Sequence, residues 1–146
     1  MNWNEHLRYE DGKLFWKIPR QRRNMSKQVG VLHKIGYLMF GFDYKNVYVH
    51  RVVWEMHNGQ IPDGFEIDHI DRNRSNNKIE NLRLATPQQN QRNKSSNGFH
   101  WLNSRKCFRA RININMKEKH LGCYDNIIDA RAAYLMARRE YFGEFA

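Results

Sequence analysis

An aspartate and a histidine stand side by side where an alternating apolar pattern ends, at Asp68 and His69. Successive side chains of a strand point to opposite faces, so one of the two can hold a metal ion while the other faces a nucleophile. A neutral imidazole can take a proton from water near pH 7, and a hard divalent cation held by oxygen ligands can stabilise charge on a phosphate. Asn90 can add a second oxygen ligand. These residue types indicate hydrolysis of a phosphodiester.

Strand, loop, strand and helix must follow one another to bring these side chains together. Residues 65–69 alternate like a strand, residues 71–78 are polar enough to be only a loop, and residues 79–84 are predicted to form the return strand. Thr86 begins a helix, with proline at the first helical position and Gln89 completing a capping box. The capping pattern places Asn90 in the first turn of that helix.

Basic residues outnumber acidic ones most strongly in the last third of the chain. The 146 residues include 25 Lys+Arg and 15 Asp+Glu, which gives a formal net charge of +10. Between residues 91 and 123, Glu118 is the single acid beside eight Lys and Arg residues. A second stretch without acids begins at Arg20 and includes Arg22 and Arg23. One isolated basic run usually forms a solvated surface, whereas two runs interleaved with aromatic residues favour nucleic-acid binding.

The composition excludes several classes of protein. With 40% hydrophobic and 13% aromatic residues, the chain is too apolar for a disordered basic tail. Its longest apolar run is Ala132–Ala137, far below the roughly 20 residues of a membrane span. The first residues lack an apolar signal core, and the two cysteines, Cys107 and Cys123, are too few for a disulfide scaffold or a four-thiolate zinc site. We therefore expect a cytoplasmic protein.

The flanking segments predict an α+β fold. Residues 1–49 are β-rich, with a hairpin turn at Asp11-Gly12, and residues 50–58 fit a short helix that is predicted to bury Val53, Trp54 and His57. Residues 95–146 predict a three-stranded antiparallel sheet backed by a helix. Its strands are predicted over 99–101, 107–115 and 119–124, its helix is capped by Asn126, and the buried stripe of that helix is Ala130, Ala133, Tyr134, Ala137 and Tyr141.

The central segment resembles the HNH endonucleases, whose core is the ββα-metal (His-Me finger) motif. The resemblance lies in His69, Asn81 twelve residues later and Asn90 nine residues further on. The surrounding residues look like the version found in phage and intron-encoded homing endonucleases; they are Asp68–Asn73, Asn76-Asn77, Glu80–Arg83 and Thr86-Pro87. The resemblance implies a phage-encoded nuclease with its core over residues 50–94.

The HNH resemblance also implies a role for each matched residue. His69 is the general base, Asp68 is a metal ligand, and Asn81 holds the loop that joins the two strands. Asn90 stands where many members have histidine and supplies an oxygen ligand. With one imidazole and no thiolate left in the set, Mg²⁺ or Mn²⁺ is favoured over zinc.

The C-terminal segment resembles the APETALA/ethylene-response DNA-binding domain. The matching residues are Gly98–Trp101, Phe108–Ile112, Leu121–Tyr124 and Asp129-Ala130. In that family a three-stranded sheet enters the major groove of duplex DNA. The expected DNA contacts are Arg109, Arg111, Asn113, Lys117, Lys119, His100 and Trp101, with Arg22 and Arg23 from the first basic stretch.

Together these patterns predict a metal-dependent DNA endonuclease of the HNH homing type. One ββα site cuts one strand, so a monomer or weak dimer is expected to nick duplex DNA and leave 5′-phosphate and 3′-hydroxyl ends. Two alternatives stay open at this stage. One is a catalytically inactive DNA-binding regulator, and the other is a nuclease directed at RNA.

Overall fold

Short antiparallel strand pairs recur through the first 90 residues. The computed structural model describes residues 2–18, 25–94 and 96–145, and the chain divides into two compact units, residues 1–90 and 91–146. Both units combine small sheets with helices, which confirms the α+β class. Arg22 and Arg23, predicted as DNA contacts, lie outside the described residues.

Over its described residues, the first unit contains three antiparallel sheets, β1–β2, β3–β4–β5 and β6–β7. Its elements in chain order are β1 (Leu7–Glu10), β2 (Lys13–Trp16), β3 (Val31–Leu32), β4 (Leu38–Phe42), β5 (Lys45–Tyr48), α1 (Val49–Asn58), β6 (Glu66–His69) and β7 (Leu82–Ala85). A further helix, α2 (Pro87–Asn93), follows β7.

The Asp11-Gly12 hairpin is confirmed and lies against the loop that precedes β7. Both turn residues have positive φ, 44° and 83°, as the tight turn of a two-residue hairpin requires. A Cβ atom at Gly12 would lie 2.9 Å from the backbone nitrogen of Lys78, closer than carbon and nitrogen pack. Glycine therefore serves both the turn and the close approach of the hairpin to this loop.

One hydrophobic core spans the first unit. It includes residues from the predicted β-rich region, 1–49, and from the predicted nuclease core, 50–94. Leu7 and Leu14 from the first hairpin are fully buried together with Val49, Val52 and Val53 of α1. Of the predicted inner face, Val53 is fully buried and Trp54 is half-buried against the core, whereas His57 is exposed. The helix begins one residue earlier than predicted, and the i, i+3, i+4 stripe from Val49 forms its inner face.

The second unit is a three-stranded antiparallel sheet with one helix. Its elements are β8 (Phe99–Leu102), β9 (Cys107–Ile114), β10 (Lys117–Tyr124) and α3 (Ile127–Phe142), and the strand order is β10–β9–β8. The predicted cap is present, since the Asn126 side chain accepts a hydrogen bond of 2.9 Å from the Asp129 backbone N–H. Of the predicted stripe, Ala130, Tyr134 and Ala137 are buried, whereas Ala133 and Tyr141 are half-buried.

Gly98 marks the closest approach between the start of this sheet and α3. A Cβ atom at this position would lie 2.0 Å from a ring atom of Tyr134, and φ is +73°. A side chain here would meet both a steric and a conformational barrier. The glycine thus fixes the path by which the chain enters β8.

Candidate active site

The β6–β7 hairpin pairs Asp68 with an arginine on the opposite strand. Asp68 lies directly across from Arg83 in the register, and Arg83 Nε and Nη2 each lie 2.9 Å from Asp68 Oδ2. The aspartate is 5% exposed, so this ion pair is largely shielded from solvent. A cation held by Asp68 would share the carboxylate with Arg83.

The return strand is shorter than predicted. The expected strand over residues 79–84 begins only at Leu82, because Ile79–Asn81 form one turn of 3₁₀ helix. This turn directs Asn81 back toward the connecting loop. Asn81 is buried, and its backbone carbonyl accepts a hydrogen bond of 2.9 Å from the Ile70 N–H.

Asn81 joins the two ends of the connecting loop through its amide. Its Nδ2 donates to Asp71 Oδ1 at 2.9 Å and to the Asn76 carbonyl at 2.8 Å, and its Oδ1 accepts from the Asp71 N–H at 3.0 Å. Desolvation opposes ionisation of Asp71, yet hydrogen bonds from Asn76, the Asn73 backbone and Asn81 hold its pKa below the ordinary value. These contacts are those expected of a residue that holds the loop.

The loop holds the His69 imidazole through a second asparagine that sequence reasoning treated as a turn residue. Asn77 is 1% exposed, and its Oδ1 lies 3.1 Å from His69 Nε2. Because Asn77 Nδ2 donates to the Ser75 carbonyl at 3.3 Å, the amide oxygen must face the imidazole. His69 Nε2 therefore carries the proton, and in the neutral ring Nδ1 carries the lone pair.

Burial keeps His69 neutral. The side chain is 3% exposed, and this desolvation lowers its pKa, against the opposing effects of the Asn77 hydrogen bond and the Asp71 and Asp68 charges. A lowered pKa means that the imidazole is a free base at pH 7. The tautomer and the protonation state are both those that a general base needs.

A second histidine and a tyrosine pack against the His69 ring. The His50 ring lies 5.1 Å from the His69 ring in a T-shaped arrangement, and Tyr37 packs on both at 5.0 and 5.9 Å. Tyr48 contacts His50 at 5.3 Å. His50 is buried, and its Nδ1 has no hydrogen-bond partner among the described residues. The helix start that buries Val49 also brings His50 inward, which the predicted helix face did not include.

The buried His50 should make folding pH-dependent. Burial, the nearby His69 and Arg51 lower its pKa from 6.5 to about 3, so between these values the unfolded chain binds a proton that the folded chain does not. The contribution of His50 to the free energy of unfolding is then fully present above pH 6.5. It is lost as the pH falls toward 3, with a limiting slope of about 1.4 kcal/mol per pH unit from this group. Urea unfolding at a series of pH values measures the slope.

His50→Gln should flatten this dependence, whereas His33→Gln, at an exposed position of the same unit, should leave it unchanged. Equal slopes for the wild type and His50→Gln would contradict the assignment.

Asn90 meets a carboxylate that sequence reasoning missed. Asn90 Nδ2 donates to Glu66 Oε2 at 2.5 Å, which leaves the amide oxygen of Asn90 outside this bond. Glu66 and Asp68 are two residues apart on β6 and therefore share one strand face. The sequence did contain a signal for this contact. The alternation of β6 places Glu66, two residues before Asp68, on the same face of the strand as Asp68.

The donor chemistry of these residues fits a hard divalent cation. Two carboxylates and an amide oxygen are ligands that Mg²⁺ or Mn²⁺ accepts, and none of them is a soft sulfur donor. In residues 2–18, 25–94 and 96–145, no three His, Cys, Asp or Glu side chains form a metal-binding group, so a site here depends on the asparagine.

The predicted DNA contacts of the second unit divide between the two faces of its sheet. His100, Arg109, Arg111 and Asn113 share one face, which we call the arginine face; Glu118 and His120 lie on it as well. The other three predicted contacts, Trp101, Lys117 and Lys119, have register partners on the opposite face. The predicted contacts of the second unit therefore lie on both faces of one small sheet.

The turn between β9 and β10 explains the division. A four-residue turn over 115–118 was predicted, but Asn115 and Met116 alone form it, both with positive φ, and Lys117 pairs directly with Ile114. This register turns Lys117 and Lys119 toward the side of α3, where Lys119 Nζ donates to the Tyr141 hydroxyl. Trp101 packs on Phe108 with ring centroids 4.8 Å apart.

Glu118 bridges the two arginines of the arginine face. Its carboxylate oxygens lie 2.9 Å from Arg109 Nη2 and 2.5 Å from Arg111 Nη1. All three side chains are at least one-third exposed, so the pairs contribute little to stability. His120, opposite Arg111 on the same face, was not among the predicted contacts.

Comparison with known proteins places these features in a family. The family model described as HNH endonuclease matches residues 47–92, which include the β6–β7 hairpin and most of α2. The chain is 35% identical to Protein 3.8 of Escherichia phage T7 over 70% of this chain and 91% of the phage protein. It is 35% identical to the uncharacterized HNH endonuclease L560 of Acanthamoeba polyphaga mimivirus, over 84% of this chain and 67% of the viral protein.

Among solved structures, that of the HNH homing endonuclease I-HmuI, from a study of its DNA binding and cleavage, is similar to this chain. Its sequence is 23% identical to this chain and the TM-score is 0.47. The match covers 79% of this chain and 71% of that chain. Across the part of the chain that the structure describes, no helix is long and apolar enough to cross a membrane. On the strength of the two viral relatives and the matched segment, the chain belongs to the HNH endonuclease family and is a nuclease, a hydrolase of phosphodiester bonds.

Proposed function

We propose that the protein is a metal-dependent DNA endonuclease of the homing type that nicks one strand of duplex DNA. The observation that carries the proposal is the state of His69: buried, neutral and held by Asn77 so that Nδ1 has the lone pair. In this proposal Nδ1 takes the proton of the attacking water, and the cut leaves 5′-phosphate and 3′-hydroxyl ends.

The residues proposed to hold Mg²⁺ or Mn²⁺ are Asp68 and Asn90, with Glu66 bonded to Asn90. A divalent cation bound there would neutralise phosphate charge and stabilise the leaving 3′ oxygen. Asn81 keeps the loop closed and thereby fixes Asn77 against the imidazole. Arg83 orients the Asp68 carboxylate from the opposite strand.

We further propose that residues 95–146 act as a DNA-binding domain of the APETALA/ethylene-response type, beside a nuclease core over 50–94 and the β-rich region over 1–49. Phosphate contacts would position the domain, and Arg109 and Arg111 are the candidates for contact with bases, because their side chains project from the exposed arginine face. The phage relative supports action in the cytoplasm of a host cell.

Incubation of supercoiled plasmid with Mg²⁺, Mn²⁺ or EDTA tests the proposal. The expected product is the nicked circle with either metal and no product with EDTA. Binding without metal-dependent cleavage would instead identify a DNA-binding regulator, and preferential cleavage of single-stranded or stem-loop RNA would identify an RNA-directed nuclease. Linear DNA as the sole product of a proven monomer would contradict nicking of one strand.

A further inference from the structure

We propose that a basic cavity in the second unit, which shares Arg111 and Asn113 with the arginine face, binds a backbone phosphate of the DNA. The cavity has a volume of about 600 Å³, and its cationic lining residues are Arg92, Lys94, Arg111 and Arg138. Among the described residues that line it, none is Asp or Glu. The inference rests on the proposed DNA-binding function and names a contact site that the sequence resemblance did not include.

The strongest sign of an anion site is the burial of Arg138. This side chain is 3% exposed, and its hydrogen-bonding partners are neutral. Nη1 donates to the Lys94 carbonyl at 3.1 Å and to the Tyr134 hydroxyl at 3.3 Å, and Nη2 donates to the carbonyls of Arg92 at 2.6 Å and Phe145 at 3.3 Å. Carbonyl and hydroxyl oxygens satisfy these donors, but none of the described residues supplies a counter-ion for the positive charge, which is costly to bury alone inside a protein.

The Arg138 guanidinium also keeps one donor unused. Its Nε is buried and has no hydrogen-bond partner among the described residues. No described carboxylate forms an ion pair with Arg138. A bound anion would supply the missing charge, which is why a buried, fully charged arginine beside a cavity points to a ligand.

Two further cations at the cavity have neutral partners only. Arg92 Nη2 donates to the Asn115 side-chain oxygen at 3.3 Å, and its guanidinium lies 5.0 Å from the centre of the Phe142 ring. Lys94 Nζ donates to the Gln91 side-chain oxygen at 2.7 Å. Neither forms an ion pair with a described carboxylate, in contrast to Arg111, which Glu118 engages. The cavity therefore has more uncompensated positive charge than the arginine face.

The ligand we assign is a phosphodiester of DNA rather than a free anion, because the cavity is continuous with the proposed DNA-binding surface. Arg111 and Asn113 line the cavity and also belong to the arginine face. A duplex lying on that face would bring its backbone to the opening. Arginine and lysine are the usual partners of backbone phosphates, and such contacts carry no sequence information.

The salt dependence of DNA binding tests this assignment in the full-length protein. Affinity for a short duplex is measured by fluorescence anisotropy over a range of salt concentrations for the wild type, Arg92→Gln/Lys94→Gln and Arg139→Gln. Each lost phosphate contact lowers the slope of log K against log salt by about 0.9. The slope of the double variant should fall by about 0.9 if one phosphate contact is lost and by about twice that if two are lost. Arg139→Gln, at an exposed position of α3, should keep the wild-type slope.

The outcomes separate this inference from the proposed function. If the wild type binds no duplex, the DNA-binding proposal fails and the cavity assignment fails with it. If the wild type binds and the double variant keeps both slope and affinity, only the cavity assignment fails. Titration with inorganic phosphate, followed by the amide NMR signals of Lys94 and Gly98, identifies the source of the anion. Saturation by phosphate, together with an unchanged salt slope in the double variant, would assign the cavity to a free anion and overturn the DNA contact.

Discussion

His69→Gln should lower the rate of plasmid nicking by about 10²- to 10⁴-fold, the contribution typical of a general base. Glutamine retains an amide N–H that can donate to Asn77 but has no basic nitrogen, so the buried neighbourhood of His50 and Tyr37 stays filled while the proton acceptor is lost. Duplex binding should survive, because the change adds no charge and His69 is not among the proposed DNA contacts. Single-turnover cleavage in Mg²⁺ and anisotropy binding measure the two effects.

His33→Gln is the matched control, since His33 is an exposed histidine of the same unit. It should cleave at the wild-type rate. His69→Gln that nicks as fast as the wild type in Mg²⁺ would show that another group takes the proton. Loss of duplex binding in parallel with loss of cleavage would mean that His69 acts on the fold rather than on the reaction.

Asn77→Ala should lower the cleavage rate by about 10- to 100-fold, the loss typical of removing a partner that orients a working histidine. The variant leaves the buried His69 Nε2–H without an acceptor and should also lower the free energy of unfolding by about 1–3 kcal/mol. Asn73→Ala is the control, because Asn73 belongs to the same loop but hydrogen-bonds within it, to Ser75.

Asn77→Asp separates orientation from stability. An aspartate still accepts the Nε2 proton, but its negative charge stabilises the imidazolium and raises the pKa of His69. The acid limb of the pH–rate profile, which reports loss of the neutral base, should therefore move to higher pH while activity at high pH is largely retained. An acid limb that stays at the wild-type pH would contradict the inference that the contact with Asn77 influences the pKa of His69.

Local signals in the sequence predicted the elements, because each depends on neighbouring residues. The Asp11-Gly12 turn and the Asn126 cap need only their own backbone geometry, and both are present. The capping box of α2 is present too, with Gln89 N–H donating to Thr86 Oγ1 at 3.3 Å and Thr86 N–H donating to Gln89 Oε1 at 2.8 Å. Such interactions join residues three positions apart, so the residue types at that fixed spacing are enough to predict them.

Contacts across strands and loops could not be predicted in this way. The Asp68–Arg83 pair depends on a register that is set by where β7 begins, and one turn of 3₁₀ helix moved that start to Leu82. The hydrogen bond between Asn77 and His69 depends on the path of an eight-residue polar loop in which three asparagines looked alike from the sequence. The start of β10 at Lys117, two residues before the predicted start, likewise decides that Lys117 pairs with Ile114 and shares its face of the sheet.

Glu118 has a consequence for how the protein would search DNA. Because its carboxylate already occupies Arg109 and Arg111, a chance encounter with a duplex must exchange one set of ion pairs for another instead of gaining a new set. Dissociation from random sequence would therefore be fast, and the residence time would lengthen only where both guanidiniums find acceptors on base edges. In this arrangement an acidic residue on a basic surface favours rapid sampling of many sites over tight attachment to any one of them.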